Sequence, residues 1–247
     1  MTKLRAFLAR LSPTATLIVI LAVGLLIAFL LSVAVAQIYD SITDVDGVSG
    51  LDQPILNWML AHRSPALNST VTAYTNVAGP IGMPIIAVLA LVTLGVRWRS
   101  WTPVIMIIAA GGGSLLLTIS GKDLIGRVRP PLNDAVPPYE YSPSFPSGHT
   151  LNAVVVAGTI AYLLALHQSS RIARALTIGI ATVFAATIGL SRVFLGHHWF
   201  TDVLAGFILG LAWLAIIITA HRLMHIIHAR RHALRHPADP NPESSTP

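Results

Sequence analysis

Six stretches of this chain are apolar for long enough to cross a membrane, and nothing else in the sequence limits its fold so much. A spanning helix needs about 20 such residues. Runs near 14–36, 72–96, 102–121, 149–167, 174–191 and 201–220 meet or approach that length. Charged residues are only 11% of the 247, against about a quarter in a soluble domain, too few to cover a water-facing surface. The expected fold is all-α, an integral membrane bundle of six transmembrane helices. Gly79, Pro80, Gly82 and Pro84 interrupt the second run, which spans tolerate when neighbours satisfy the freed backbone groups. Gly111, Gly112 and Gly113 in the third suit close helix packing. The first run follows Lys3, Arg5 and Arg10 and ends in Ala34-Val35-Ala36, an imitation of a signal-peptide cleavage site. It is longer than a signal core of about 7–15 residues, so a retained span is expected. With no cysteine in the chain, disulfides, Cys-bound metals and thiol nucleophiles are excluded.

Charge suggests an orientation. With a cytoplasmic N-terminus and six alternating spans, the inner segments hold Lys3, Arg5, Arg10, Arg97, Arg99, Arg171, Arg174, Arg222, Arg230, Arg231 and Arg235, the majority of the 16 Lys and Arg. A Lys/Arg excess marks the cytoplasmic side, so both termini are expected there. The net charge of +6 is then a topology signal. Spread over separate loops, it makes no patch for nucleic acid. Arg63, Lys122, Arg127, Arg129 and Arg192 fall on the opposite face, against the rule, and an anionic ligand there is the simplest explanation.

Three polar clusters coincide with that face. "GKDLIGRVRPP" (121–131) contains K-x6-RP in Lys122, Arg129 and Pro130; "PSGH" (146–149) opens the fourth span; "SRVFLGHHWFTD" (191–202) contains SR-x5-H-x3-D in Ser191, Arg192, His198 and Asp202. Alternating topology brings all three to the same ends of spans three to six. Their order, spacing and residue types resemble the signature of the type 2 phosphatidic acid phosphatases, or lipid phosphate phosphatases, over roughly residues 100–220. The wider superfamily includes bacterial acid phosphatases and vanadium haloperoxidases.

The residue types suit phosphoryl transfer, in which a multiply charged group must be held and neutralised. Lys122, Arg129 and Arg192 supply charge, arginine as a planar fork and lysine as a point. Ser147 offers a hydroxyl, and Gly148 lets backbone approach at a helix N-terminus, a natural anion site. His198 and Asp202, four apart, would share a helix face, letting the carboxylate hold one ring nitrogen as N–H and free the other. The resemblance implies that His198 is the nucleophile of a phosphohistidine mechanism, that Asp202 orients it, and that His149 protonates the leaving group. It assigns phosphate binding to Lys122, Arg129, Ser147, Gly148 and Arg192, and implies no metal and no cofactor.

The expected activity is removal of the terminal phosphate from a lipid phosphate or diphosphate, with the substrate and the bilayer as partners and the oligomeric state open. Undecaprenyl-type diphosphate and phosphatidylglycerol phosphate are favoured; phosphatidic acid is a further candidate. The alternatives are a lipid phosphotransferase of the same superfamily and a non-catalytic phospholipid-binding or transport protein. Residues 1–236 are expected to form one membrane phosphatase domain and 237–247, "PADPNPESSTP", a disordered cytoplasmic tail.

Other features read more plainly. Arg127, outside the pattern, is a headgroup contact or an anchor. His197 either lines the site or sits at the interface, and the interface is the preferred reading. His221, His225, His228, His232 and His236 resemble a metal stripe, but a helix extension near anionic lipid explains them. Residues 52–64 form an amphipathic stretch with Ile55, Leu56, Met59 and Leu60 on one side. Residues 130–146 are too proline-rich for a regular helix, and place Tyr139, Tyr141 and Phe145 at headgroup level.

Overall fold

The computed structural model describes residues 13–44 and 46–235. Lys3, Arg5, Arg10 and the expected tail at 237–247 lie outside them, as do the side chains of Arg230, Arg231, Arg235 and the last three histidines of the stripe. Regular structure among the described residues is entirely helical. α1 (Pro13–Asp44) leads through a 3-10 turn, Gly47–Leu51, to α2 (Asp52–Ala61) and α3 (Pro65–Thr75). Then come α4 (Gly82–Trp98), α5 (Thr102–Ile125), α6 (Gly148–His167), α7 (Arg171–Phe194) and α8 (Phe200–Arg235). α1 and α5 to α8 each carry a window apolar enough to span. α3 and α4 pass the same test only as a pair, bent by 44° at the Gly79-Pro80 break foreseen in the sequence, which gives six candidate spans if the pair is counted as one.

Local chemistry sets the helix ends. Ser64 accepts a 3.2 Å hydrogen bond from the Leu67 N–H, with Pro65 in the first turn of α3. Ser170 does the same for Ala173 at the head of α7. Such caps satisfy N–H groups that lack a partner within the helix. α5 stops at Gly126, whose φ of +61° is a left-handed position that glycine takes without strain.

The bundle is apolar outside as well as inside: Leu25, Leu89, Ile105 and Ile180 are all exposed. Lipid tails are as apolar as leucine, so close fit rather than water exclusion joins such helices. α6 is central. Half of its apolar window is buried (50%), against 28% for α5 and α8 and 17% for α7. Leu151, Val155 and Leu163 pack with Met106 and Ile107 of α5 and Ile217 of α8. Ala153, Val154 and Val156 face Met83 of α4 and Ala185 and Ile188 of α7. One turn of π-helix, Ala153–Ala157, lies just past the PSGH segment, a wide turn often found beside functional sites.

Several expectations need correction. Of the three glycines in α5, only Gly113 makes a close approach: a Cβ there would lie 2.1 Å from the Trp213 ring, while Gly111 and Gly112 have nothing within 4 Å. Phe145 is not exposed to lipid headgroups but buried with Ile38 and Ala205, whereas Tyr139 and Tyr141 are exposed. α2 is amphipathic, with Leu56 fully buried and Trp58 exposed. Its buried side also includes Asp52.

Candidate active site

The C-terminal ends of α5 and α7 and the N-terminal ends of α6 and α8 meet at one end of the bundle. The irregular segment 126–147 crosses between them, and all three polar clusters converge there. Arg129 donates from Nε to the Ser142 carbonyl at 2.6 Å. Its NH1 lies 3.2 Å from His198 Nε2. Lys122 Nζ donates to the Pro143 carbonyl and, at 3.2 Å, to Ser142 Oγ. Arg192 is 2% exposed, its Nε has no hydrogen-bond partner, and its NH1 lies 3.5 Å from Thr75 Oγ1.

A carboxylate absent from the sequence-based site stands among these cations. Glu140 pairs with Arg192 through Oε1 and with Arg129 through Oε2, the latter at 2.8 Å. Burial alone would raise its pKa, but Arg192, His198 and Arg129 around it bring it down to about 2. Its Oε2 is 4.0 Å from His198 Nε2 and its Oε1 3.9 Å from His197 Nδ1. The chain has only ten Asp and Glu. One lodged in the proline-rich stretch between the first two clusters was the available signal.

His198 is 1% exposed, with Nδ1 3.5 Å from Asp202 Oδ2 and 3.4 Å from Ser144 Oγ. Arg129 can only donate, so a bond to Nε2 requires a lone pair there and leaves the ring proton on Nδ1. Burial, and then Arg129 and Arg192, push the His198 pKa well below its ordinary value. The expectation of a shared helix face needs refining, because α8 begins only at Phe200. His198 sits in the preceding turn. Asp202 reaches back from the first turn, accepting the Trp199 N–H at 2.9 Å much as the second residue of a capping box does.

Asp202 is fully buried. Its Oδ2 also accepts from Ser144 Oγ, and its Oδ1 accepts from Arg127 NH1 at 2.6 Å. Arg127 is therefore neither anchor nor headgroup contact. Its NH2 reaches Asp52 at 2.7 Å, pairing it with two carboxylates at once. Arg63 donates to the carbonyls of Phe194 and Asp134, both at 2.6 Å, so it braces loops. Of the five cations on this face, Lys122, Arg129 and Arg192 remain to face an anion.

Ser147 is fully buried, its N–H donating to the Asp202 carbonyl at 3.0 Å and its Oγ accepting from Thr150 at 2.9 Å. α8 comes this close because residue 206 is glycine: a Cβ there would lie 2.8 Å from the Ser147 carbonyl. Gly148 begins α6 against Thr118. The ring of His149 lies beside Gly79, its Nε2 3.2 Å from where a Cβ on that glycine would stand. His197, assigned to the interface from sequence, is buried in the site, its Nε2 2.6 Å from the Val136 carbonyl. Burial and then Arg192 lower its pKa to about 4. Far from the site, His221 Nδ1 is 2.9 Å from the Tyr162 hydroxyl. Among the described residues no three His, Asp or Glu are grouped to hold a metal ion.

Known proteins share both the sequence pattern and the architecture. Residues 99–225 match the model of the PAP2 superfamily. Phosphatidylglycerophosphatase B of Bacillus subtilis (strain 168) is 37% identical over 169 residues, covering 67% of this chain and 81% of the relative. The crystal structure of a transmembrane PAP2-type phosphatidylglycerolphosphate phosphatase from Bacillus subtilis superposes with a TM-score of 0.73 at 31% identity, over 79% of this chain and 96% of that one. Aquifex aeolicus LpxE matches in fold, with a TM-score of 0.55 at 22% identity over 68% and 94% of the two chains. With its motifs in matching order and its helix ends gathered around them, the chain belongs to the PAP2 superfamily.

Proposed function

We propose that this membrane lipid phosphatase cleaves the terminal phosphate of its substrate through a phosphohistidine on His198. The observation that carries the reading is the Glu140 carboxylate, clamped by Arg129 and Arg192 with His198 Nε2 4.0 Å away. The pocket already holds a two-oxygen anion in front of an imidazole nitrogen whose lone pair points toward Arg129. A phosphoryl group in that place displaces Glu140 and takes over its guanidinium partners, with Lys122, the unpartnered Arg192 Nε and the start of α6 at Ser147 and Gly148 beside it.

His198 Nε2 then attacks phosphorus. The bond from phosphorus to the leaving oxygen breaks, its electron pair goes to that oxygen, and His149 supplies a proton. Asp202 stabilises the positive charge that forms on the imidazole. Water gives a proton to His149 and attacks the phosphohistidine, the phosphorus–nitrogen bond breaks with its electron pair returning to Nε2, and inorganic phosphate leaves. Each donor aimed at the transition-state charge is worth roughly 3–4 kcal/mol, so three fixed cations can stand where a metal ion would otherwise act.

Phosphatidylglycerol phosphate is the first substrate to test, given the Bacillus subtilis relatives, with undecaprenyl diphosphate and phosphatidic acid in the same panel. Lys/Arg counts put the site on the extracytoplasmic face and both termini in the cytoplasm. His198→Ala should abolish phosphate release by purified protein. Quenching turnover of a 32P-labelled substrate should leave acid-labile label on His198. Label on another side chain, or release undiminished in the variant, rejects the mechanism.

A further inference from the structure

Asp202 cannot orient an imidazole unless something orients Asp202. Its carboxylate is fully buried at the first turn of α8, and Arg127 is its one charged hydrogen-bond partner apart from the histidine it faces. We infer that Arg127 and Asp52 are positioning residues, forming a chain from α2 through Arg127 to Asp202 that aims the carboxylate at His198. The inference rests on the proposed roles of Asp202 and His198 and adds two residues that are not motif positions: Arg127, inside the first cluster but outside its K-x6-RP pattern, and Asp52, outside all three clusters.

The geometry is closed at every link. Arg127 NH1 donates to Asp202 Oδ1 at 2.6 Å and to Thr201 Oγ1 at 2.7 Å, and its NH2 donates to Asp52 Oδ2 at 2.7 Å. Asp52 accepts the Thr201 N–H on Oδ1 at 2.8 Å and the Thr201 hydroxyl on Oδ2 at 2.7 Å. That N–H belongs to the first turn of α8, where backbone donors have no partner in their own helix. Asp52 thus holds the head of α8 and the guanidinium together. The guanidinium in turn lies 5.7 Å from the Trp199 ring, whose Nε1 donates to the Val128 carbonyl at 2.9 Å. With Oδ1 fixed by Arg127, Oδ2 is left for Ser144, the Trp199 N–H and His198 Nδ1. A planar fork can join two carboxylates on different elements; an ammonium is a point charge and cannot hold both in these directions.

The hydrogen bonds of Arg127 and Asp52 involve none of the cations that surround Glu140, so their loss should fall more on catalysis than on phosphate binding. Asp52→Asn keeps the shape and removes the charge; Arg127→Lys keeps the charge and removes the fork. In both variants kcat for phosphatidylglycerol phosphate in detergent micelles should fall by about 10- to 100-fold, a typical cost for losing an outer-shell partner. The inhibition constant of inorganic phosphate, held by the cations of the anion pocket without a bond to His198, should stay within about twofold. The role is overturned if folded Asp52→Asn keeps kcat within about twofold of the parent. A phosphate constant that rises in step with the loss of kcat overturns it as well, and so does failure of both variants to yield monodisperse protein, since either would make the network one of stability. His198→Ala separates the two readings: activity surviving there removes the catalytic scheme itself, whatever Asp52 and Arg127 do.

Discussion

Glu140 and His198 show how one environment drives two titratable groups in useful directions. The cations that keep Glu140 ionised, with a pKa near 2, also act with burial to keep His198 free of its second proton. A nucleophilic imidazole has to be neutral, and at pH 5.5 an ordinary histidine, with a pKa of about 6.5, is mostly protonated. His198 should still be neutral there. Histidine ring nitrogen shifts, compared between the parent and His198→Gln, can follow it, and a midpoint near 6.5 would contradict the environment described. The same depressed value makes acid destabilising: below about 6.5 the unfolded chain takes up a proton that the folded site refuses. Much of this candidate site was legible from the three motifs and the family resemblance they carry. Lys122, Arg129, Ser147, Gly148, His149, Arg192, His198 and Asp202 stand in fixed intervals that announce a shared task, and the fold gathers them at one end of the bundle. Glu140, Asp52 and Arg127 were not legible in that way. A carboxylate partner found across 75 residues, as Asp52 is for Arg127, leaves no periodic trace.

The helices were read with similar success and for a similar reason. Apolar length locates a span, so five of the expected runs coincide with helices that pass alone and the sixth with a bent pair that passes only jointly. It does not locate the ends, where polar residues continue the same helix: α1 runs to Asp44 and α8 to Arg235, well past their apolar runs. Composition also cannot tell which of three successive glycines touches a neighbour, since that depends on the rotation of the helix. The structure separates them, and the difference can be measured. Gly113→Ala sets a methyl into the Trp213 ring, and α5 and α8 must move apart. Gly112→Ala meets nothing and replaces the poorer helix former, a change worth about 1 kcal/mol in a helix interior. Thermal unfolding in detergent should show a clear loss of Tm for Gly113→Ala and an unchanged or higher Tm for Gly112→Ala. Equal effects would mean that the α5–α8 packing is wrong.

At the scale of the molecule, the topology makes a prediction about sidedness. Alternating spans put the α1–α2 turn, the α3 end of the bent pair and segment 126–147 on the side of the site, and the turns 99–101 and 168–170 on the other. The chain has no cysteine of its own, so each introduced thiol reports alone. Cysteines at exposed Tyr141 and Leu132 should react with an impermeant maleimide added to intact cells, while one at Trp101 should react only after lysis. The reverse pattern would invert the orientation inferred from charge.

Because the proposed reacting groups lie at helix ends rather than deep in the bundle or out on a separate domain, the phosphorus is handled at the rim of one leaflet while its hydrocarbon anchor never leaves the lipid. What the enzyme senses is then a mole fraction in two dimensions: diluting the vesicles in buffer leaves the rate per protein untouched, and diluting the substrate among inert lipids lowers it.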